Sequence, residues 1–422
     1  MLFRSTGARQ INRRDSLPPD EIAGLLERQQ WQIVGSRRRL RTKDGGADRC
    51  RGIRSNRASQ KNAPGFVHER DWLVGIIVAP MADAMTSRLG TFWLGVALLA
   101  GAVGISAQDS QAPGQLPSQR EVTVTAIPGV VAAGATWTLA WAGTDNADGI
   151  VGLADGGLLF AQEQPSRVSK LDVKDQRSTY TEQTNGAGSL TIDSRGRVLA
   201  AQRTCTDPGR KDPTPCAVPT AIAIIYPANE RKVLADNIDG KSFGRPNDLV
   251  VARSGNVYFT SGGAFRVDPS GHVSSIGDNL RTNGIMLSPD EETLYITNGA
   301  TVVALDVQSD GSVTNQRTFA RLEAGGNGDG MTVDAAARLY VTSAPGVQVF
   351  DPSGKFLGLI ATPRPPASVA FAGLGKRTLY VTGSGARDAQ GKEIVTPPGV
   401  RNNAKSIYKL PMLAQGFAGR AK

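Results

Sequence analysis

A short β-rich unit recurs six times after residue 150, and this recurrence limits the possible folds more than any other feature of the chain. Each copy runs from an apolar strand through a turn with Asp or Gly into a strand ending in small polar residues. The copies are LADGGLLFAQ (153–162), IDSRGRVLAAQ (192–202), VARSGNVYFTS (251–261), LSPDEETLYITN (287–298), VDAAARLYVTS (333–343) and FAGLGKRTLYVTG (371–383). Aligned on the second strand, the equivalent residues are Leu159, Leu199, Tyr258, Tyr295, Tyr340 and Tyr380, spaced 40, 59, 37, 45 and 40 residues apart. Further hairpin signals lie between copies (FRVDPSGHVSSI, VQVFDPSGKFLGLI), with Gly supplying the positive φ of the turn. About four strands per unit, in six units, predict an all-β fold, a six-bladed β-propeller, in which neighbouring blades bury each other's faces. A β-sandwich would not account for six copies. The segment EVTVTAIPGV (121–130) reads as a spare strand, expected to join the last blade near SIYKL (406–410) and close the ring.

The predicted propeller occupies residues 121–422, after a linker at 108–120. Residues 1–80 hold 16 Lys/Arg against 8 Asp/Glu with no sustained apolar period, and are expected to be disordered, either a non-native upstream extension or a genuine basic tail. Residues 81–107 contain LGTFWLGVALLAGAVGISA, an uncharged run after Arg88 that ends in Ser106-Ala107. That layout predicts a signal peptide and an exported protein, periplasmic or extracellular; the alternative is a membrane anchor, the only route to a membrane. Cys205 and Cys216 bracket the turn-rich insertion that lengthens the 59-residue spacing, and export would let them form a disulfide; two free thiols are the alternative. The +10 formal charge is not a nucleic-acid signature: 1–80 carry +8, 81–107 carry none, and the remaining 315 residues carry only +2. Histidine occurs only as His68 and His272, which excludes a multi-histidine zinc site. His272 lies in the turn Pro269-Ser270-Gly271-His272 and reads as a solvated turn residue.

A candidate site appears on counting back from the repeat. Asp148, Asn247 and Asp329 lie eleven residues before Leu159, Tyr258 and Tyr340, and Asn283 lies twelve before Tyr295. In a propeller such positions converge at one mouth of the central channel. Two Asp and two Asn offer only oxygen ligands, a set suited to a hard divalent cation, above all Ca²⁺. Any one of these residues alone reads as a turn residue; their shared register argues for a site.

The motifs RPNDLVVARSGNVYFTS, NGIMLSPDEETLYITNG and DGMTVDAAARLYVTS closely resemble the senescence-marker-protein/gluconolactonase family, which includes regucalcin and diisopropyl-fluorophosphatase-like enzymes. The resemblance covers about residues 140–412. It implies a six-bladed propeller with a divalent metal, metal coordination by Asn283 and Asp329, and Asn247 as a ligand or substrate-side neighbour. It also implies lactone hydrolysis with Asp329 as general base, and Arg245 in contact with substrate. This sequence departs from the family pattern at the first ligand, where Asp148-Gly149-Ile150 replaces Glu-Gly-Pro, and in AAQRTCTDPG, where Arg203 reads either as a binder of acidic substrate or as surface charge. The expected function is therefore metal-dependent hydrolysis of a small-molecule lactone or ester. A non-catalytic exported binding propeller with a structural metal and a phosphotriesterase-like hydrolase are the alternatives.

Overall fold

A computed structural model describes residues 114–203, 206, 218–398 and 400–419. The basic tail at 1–80, the expected signal at 81–107, and both Cys205 and Cys216 lie outside the described residues. Among the described residues, no helix is long and apolar enough to cross a membrane.

Six four-stranded antiparallel sheets form the blades of a β-propeller. Blade 1 contains Ile150–Gly152, Leu158–Gln162, Arg167–Leu171 and Arg177–Glu182; blade 2 contains Ala187–Ile192, Val198–Gln202, Ala221–Tyr226 and Lys232–Ala235. Blade 3 contains Leu249–Val251, Val257–Ser261, Gly263–Val267 and Val273–Ile276; blade 4 contains Thr282–Leu287, Thr293–Asn298, Thr301–Val307 and Val313–Arg321. Blade 5 contains Met331–Val333, Leu339–Ser343, Gly346–Phe350 and Phe356–Ala361. In blade 6, Pro366–Ala372 is followed outward by Thr378–Ser384, Lys405–Pro411 and the early strand Thr138–Gly143. The first strands of successive blades touch in cyclic order, and blade 6 meets blade 1, so the ring is closed.

The six register residues all lie on second strands and are all buried, each opposite an inner-strand residue. Their side chains fill the space between blades. Tyr340 of blade 5, for example, meets Phe371 of blade 6 edge to face at 5.0 Å. Such burial on both faces makes the strands read as apolar runs rather than as alternating patterns.

Ring closure differs from the expectation in one respect. The partner strand around 406–410 is as predicted, but it pairs with Thr138–Gly143, not with 121–130. The 121–130 segment alternates like a strand, yet Pro128-Gly129 turns the chain back: Gly129 has φ +68°, and the Val130 N–H donates to the Ile127 carbonyl at 2.9 Å. Its apolar residues Val124, Ile127 and Val130 are spent on packing with Val347, Val349 and Ile360. The long spacing in the middle of the repeat also has a second source, a small hairpin pairing Asn237–Ile238 with Lys241–Ser242.

Tight turns repeat one device. Asp193 Oδ1 accepts from the N–H groups of Arg195 and Arg197, both at 2.9 Å, and Asp334 and Asp351 hold the residues two and four further on in the same way. This carboxylate replaces a missing backbone acceptor in the loop. The fourth residue of these turns is left-handed: Gly196 at φ +78° and Gly354 at +86°, but Ala337 at +58°. His272 sits exposed in the Asp268 turn of the same kind, as expected. Ala337→Gly is expected to raise stability by about 0.5–1 kcal/mol, because relief of left-handed strain outweighs the entropy glycine adds to the unfolded chain. The midpoint of urea unfolding checks it, and a lower midpoint would contradict the turn assignment.

Candidate functional site

The ring of positions from which the site is built lies three residues upstream of the inner-strand residue facing each register position. Val151, Thr191, Val250, Met286, Thr332 and Ala370 are those facing residues. The six ring positions are therefore Asp148, Gly188, Asn247, Asn283, Asp329 and Ala367. Three of them are fixed by the same backbone bond: the N–H groups of Asp148, Asn247 and Asp329 donate to the carbonyls of Ala161, Thr260 and Thr342 at 3.1, 2.7 and 2.9 Å. The backbones of adjacent blades come close here, which requires glycine. A Cβ on Gly284 would lie 2.1 Å from the Asp329 carbonyl oxygen, and one on Gly149 would lie 2.4 Å from Ser189 Cα.

Asp148, Asn247 and Asn283 are joined by hydrogen bonds through a residue whose role the sequence left open, whereas Asp329 is related to Asp148 only through its charge. Arg203 follows the second strand of blade 2 and is 3 % exposed. Its Nη1 donates to Asp148 Oδ2 at 2.6 Å, its Nε to the Pro246 carbonyl at 2.8 Å, and its Nη2 to Asn247 Oδ1 at 2.9 Å and to the Asn247 carbonyl. Asn247 Nδ2 in turn donates to Asn283 Oδ1. Ser368 Oγ donates to the other oxygen of Asp148 at 3.3 Å. Arg203 is thus an internal bridge between blades 1 and 3, neither surface charge nor an open arm for substrate. Arg245 is similarly engaged: both its Nη groups bond the Glu163 carboxylate at 2.7 Å, and Nη1 also reaches Thr206 Oγ1 at 3.1 Å.

Sequence reasoning missed Glu163, Asp248, Ser368 and Lys405. Glu163 is 5 % exposed and lies 3.8 Å from Arg203 as well as on Arg245. A signal for it existed, since it stands four residues after Leu159 just as Arg203 stands four after Leu199. Asp248 accepts from Ser189 Oγ at 2.6 Å and from the N–H groups of Leu249 and Ile285, both at 3.0 Å, tying blades 2, 3 and 4 together. Lys405 donates to Ser384 Oγ at 3.0 Å and acts electrostatically on both Asp148 and Asp329.

Electrostatics separate the two predicted carboxylates. Burial opposes ionisation of Asp148, but Arg203, with Lys405 and Arg245 behind it, more than offsets this and holds its pKa below the usual value. Asp329 has no hydrogen-bond donor on its carboxylate among the described residues. Burial, joined by the charges of Asp148 and Asp248, pushes it up to about 7 against the pull of Lys405 and Arg203. Burial also lowers the pKa of Lys405, while Asp148 and Asp329 favour its charged form.

The arrangement does not fit the expected four-oxygen cage for Ca²⁺. A calcium ion takes six to eight oxygens, of which these four side chains were expected to supply a part, with water completing the shell. Arg203 turns the Asn247 oxygen toward itself, so this amide presents its NH₂ to Asn283 and takes up the Asn283 oxygen as well. Asp148 is committed at both oxygens.

The chain's similarities agree with this architecture. The family described as SMP-30/Gluconolactonase/LRE-like region matches residues 146–385. A gluconolactonase of Zymomonas mobilis is 33% identical in an alignment covering 37% of this chain and 52% of that protein, so the chain spans about half the length of that curated relative. The solved structure of a gluconolactonase from Xanthomonas campestris superposes with TM-score 0.54 at 20% identity, covering 71% of this chain and 97% of that one. A putative gluconolactonase of known structure gives 0.55 at 20% identity, covering 70% and 99%. At such identity these two likenesses establish the fold.

Gly188 leaves open, at the blade 2 ring position, the space that Arg203 fills. A Cβ there would lie 2.2 Å from Arg203 Cζ and Nε. Gly188→Ala is expected to cost about 1–3 kcal/mol by overpacking, read as a fall in Tm; an unchanged Tm would show that the guanidinium does not occupy this seat.

Proposed function

We propose, on the premise that this chain belongs to the SMP-30/Gluconolactonase/LRE-like family, that it hydrolyses lactones or related esters at the channel end lined by Asp148, Asn247, Asn283 and Asp329. One observation carries the reading. Asp329 is a half-buried carboxyl group with no donor on it among the described residues, pushed up to about 7, a pKa useful for proton transfer at neutral pH, and it occupies the ring position that follows those of Asn247 and Asn283, whose amides could stabilise an oxyanion.

In this reading Asp329, ionised, takes a proton from a water that attacks the substrate carbonyl carbon. The carbonyl oxygen gains negative charge and accepts from Asn283 Nδ2 and from the second Nδ2 hydrogen of Asn247. Neither has a protein acceptor among the described residues. Arg203 and Lys405 add positive field without moving, because Arg203 is held by its own acceptors. When the tetrahedral intermediate collapses, the ring C–O bond breaks, Asp329 returns its proton to the leaving alkoxide, and a hydroxy acid results. Arg245 keeps Glu163 in place beside Arg203 instead of gripping substrate. The family resemblance carries a calcium-dependent version of this chemistry; the occupied oxygens of Asp148, Asn247 and Asn283 favour a version resting on the chain's own cations.

The full chain, assayed against aldonolactones, aryl esters and an aryl phosphotriester, tests this. Aldonolactone or ester turnover is expected, with Asp329→Asn lowering kcat/KM by about 10²–10⁴-fold while the fold is retained. Turnover of the phosphotriester alone would favour the phosphotriesterase reading. No turnover of any substrate would leave a binding propeller. The sign of the pH dependence follows from Asp329: protonated below about 7 it cannot accept a proton, so kcat/KM should rise through pH 7 and then level off. A rate constant with pH from 5 to 8 would exclude it as the base.

Its place of action, in this proposal, is outside the cytoplasm, on the strength of the apolar stretch within 81–107 and the Cys205/Cys216 pair. Sequencing the N-terminus of the protein from its native cells should find a start near Gln108; a mature chain retaining residues 81–107 would count against cleavage.

A further inference from the structure

We infer that Arg203 is the resident cation of this channel: its guanidinium takes the place of a divalent ion, and the site binds none. The inference concerns cation binding and deepens the metal-free form of the hydrolase reading; it is tested by metal titration, whereas that reading is tested by turnover, so either can fail alone.

Three features converge on it. The first is the ring itself. Of the six equivalent positions, blade 2 contributes Gly188, with no side chain, between the Asp148 and Asn247 positions of blades 1 and 3. The missing side chain is replaced by one arriving from the next strand of the same blade, and Arg203 enters the volume that a Cβ on Gly188 would claim.

The second is saturation. A guanidinium has five N–H donors in a fixed fork and cannot be deprotonated in a protein. Here Nε is on the Pro246 carbonyl, Nη1 is on Asp148 with Glu163 at 3.8 Å, and Nη2 is on both oxygens of Asn247. The Arg203 backbone is pinned too, its N–H donating to the Gly186 carbonyl at 2.8 Å. A buried arginine so fully partnered is stable where it is. Taking it out would strand Glu163, itself 5 % exposed, with less compensation.

The third is the orientation of the amides. A cation-binding asparagine must turn its oxygen inward. Asn247 cannot do so while Arg203 Nη2 needs that oxygen, and its NH₂ then consumes the oxygen of Asn283. One guanidinium therefore disables two amide ligands and one carboxylate oxygen together. It also supplies the charge that Asp148 requires. With Lys405 set against Asp148 and Asp329, two fixed cations already oppose the two carboxylates of the ring.

The experiment reads metal binding directly. The full chain is dialysed against chelator, then titrated calorimetrically with Ca²⁺, Mg²⁺ and Mn²⁺, with Tm measured in chelator and in each ion. The wild type is expected to bind none of them stoichiometrically and to keep one Tm throughout. Arg203→Met, which keeps the length of the stem and removes the charge and the donors, is expected to gain Ca²⁺ affinity by at least tenfold, with a Tm that rises on adding calcium. Arg203→Lys, a point cation on a similar stem, should stay metal-free. One equivalent of Ca²⁺ on the wild type, with a rise in Tm, overturns the inference, as does a folded Arg203→Met that gains no affinity. If Arg203→Met does not fold, the wild-type titration still decides.

Discussion

A four-stranded sheet with two apolar faces is insoluble until both faces are covered, and every blade of this protein depends on its neighbours for that cover. The ring must therefore close. Closure is made by one antiparallel pairing between strands far apart in the chain, Thr138–Gly143 on Lys405–Pro411. This pairing holds blade 6 against blade 1 and brings the start of each inner strand to a common axis. Without it the ring positions would have no common centre, and a cluster of charges drawn from blades 1, 2, 3, 5 and 6 could not form.

At that centre the structure does something that charge counting alone would not suggest. Buried carboxylates need either a metal, a proton or a protein cation. Asp148 is ionised against Arg203, a protein cation, whereas Asp329 has a raised pKa and, among the described residues, no hydrogen-bond donor on its carboxylate. The difference between them comes from the identity of one neighbouring blade position: a glycine, which lets an arginine in beside Asp148 but not beside Asp329. Two carboxylates at equivalent places in a repeat thereby acquire opposite pKa shifts, a separation that the proposed proton transfer by Asp329 would use.

The fold was legible because burial on both faces of a blade stamps the same apolar-turn-apolar pattern on each repeat, and the six register residues fell where the pattern put them. The closing strand was not, because TLAWAG alternates weakly whereas EVTVTAIPGV alternates well until its Pro-Gly turn. The four oxygen-bearing site residues were legible from their shared offset. Arg203 was visible but not interpretable: an arginine four residues past a strand can point either way, and only the absent Cβ at Gly188 decides it. Applying the same offset to blade 2 lands on Gly188 and would have exposed the gap. Lys405 and Asp248 had no repeat-based signal, since a side chain from an outer strand or one step off the ring position follows no period.

The closing pair has a bearing on how the chain reaches its finished state. Thr138 and Lys409 are 271 residues apart, so the last contact needed cannot form until Lys409 has left the ribosome. Before then the early strand has no lateral partner, and an incomplete circle exposes sheet faces at its gap. Such a topology folds late and slowly. Such end-dependent maturation makes loss of even a short stretch near Lys405–Pro411 more damaging than the same loss in an outer loop.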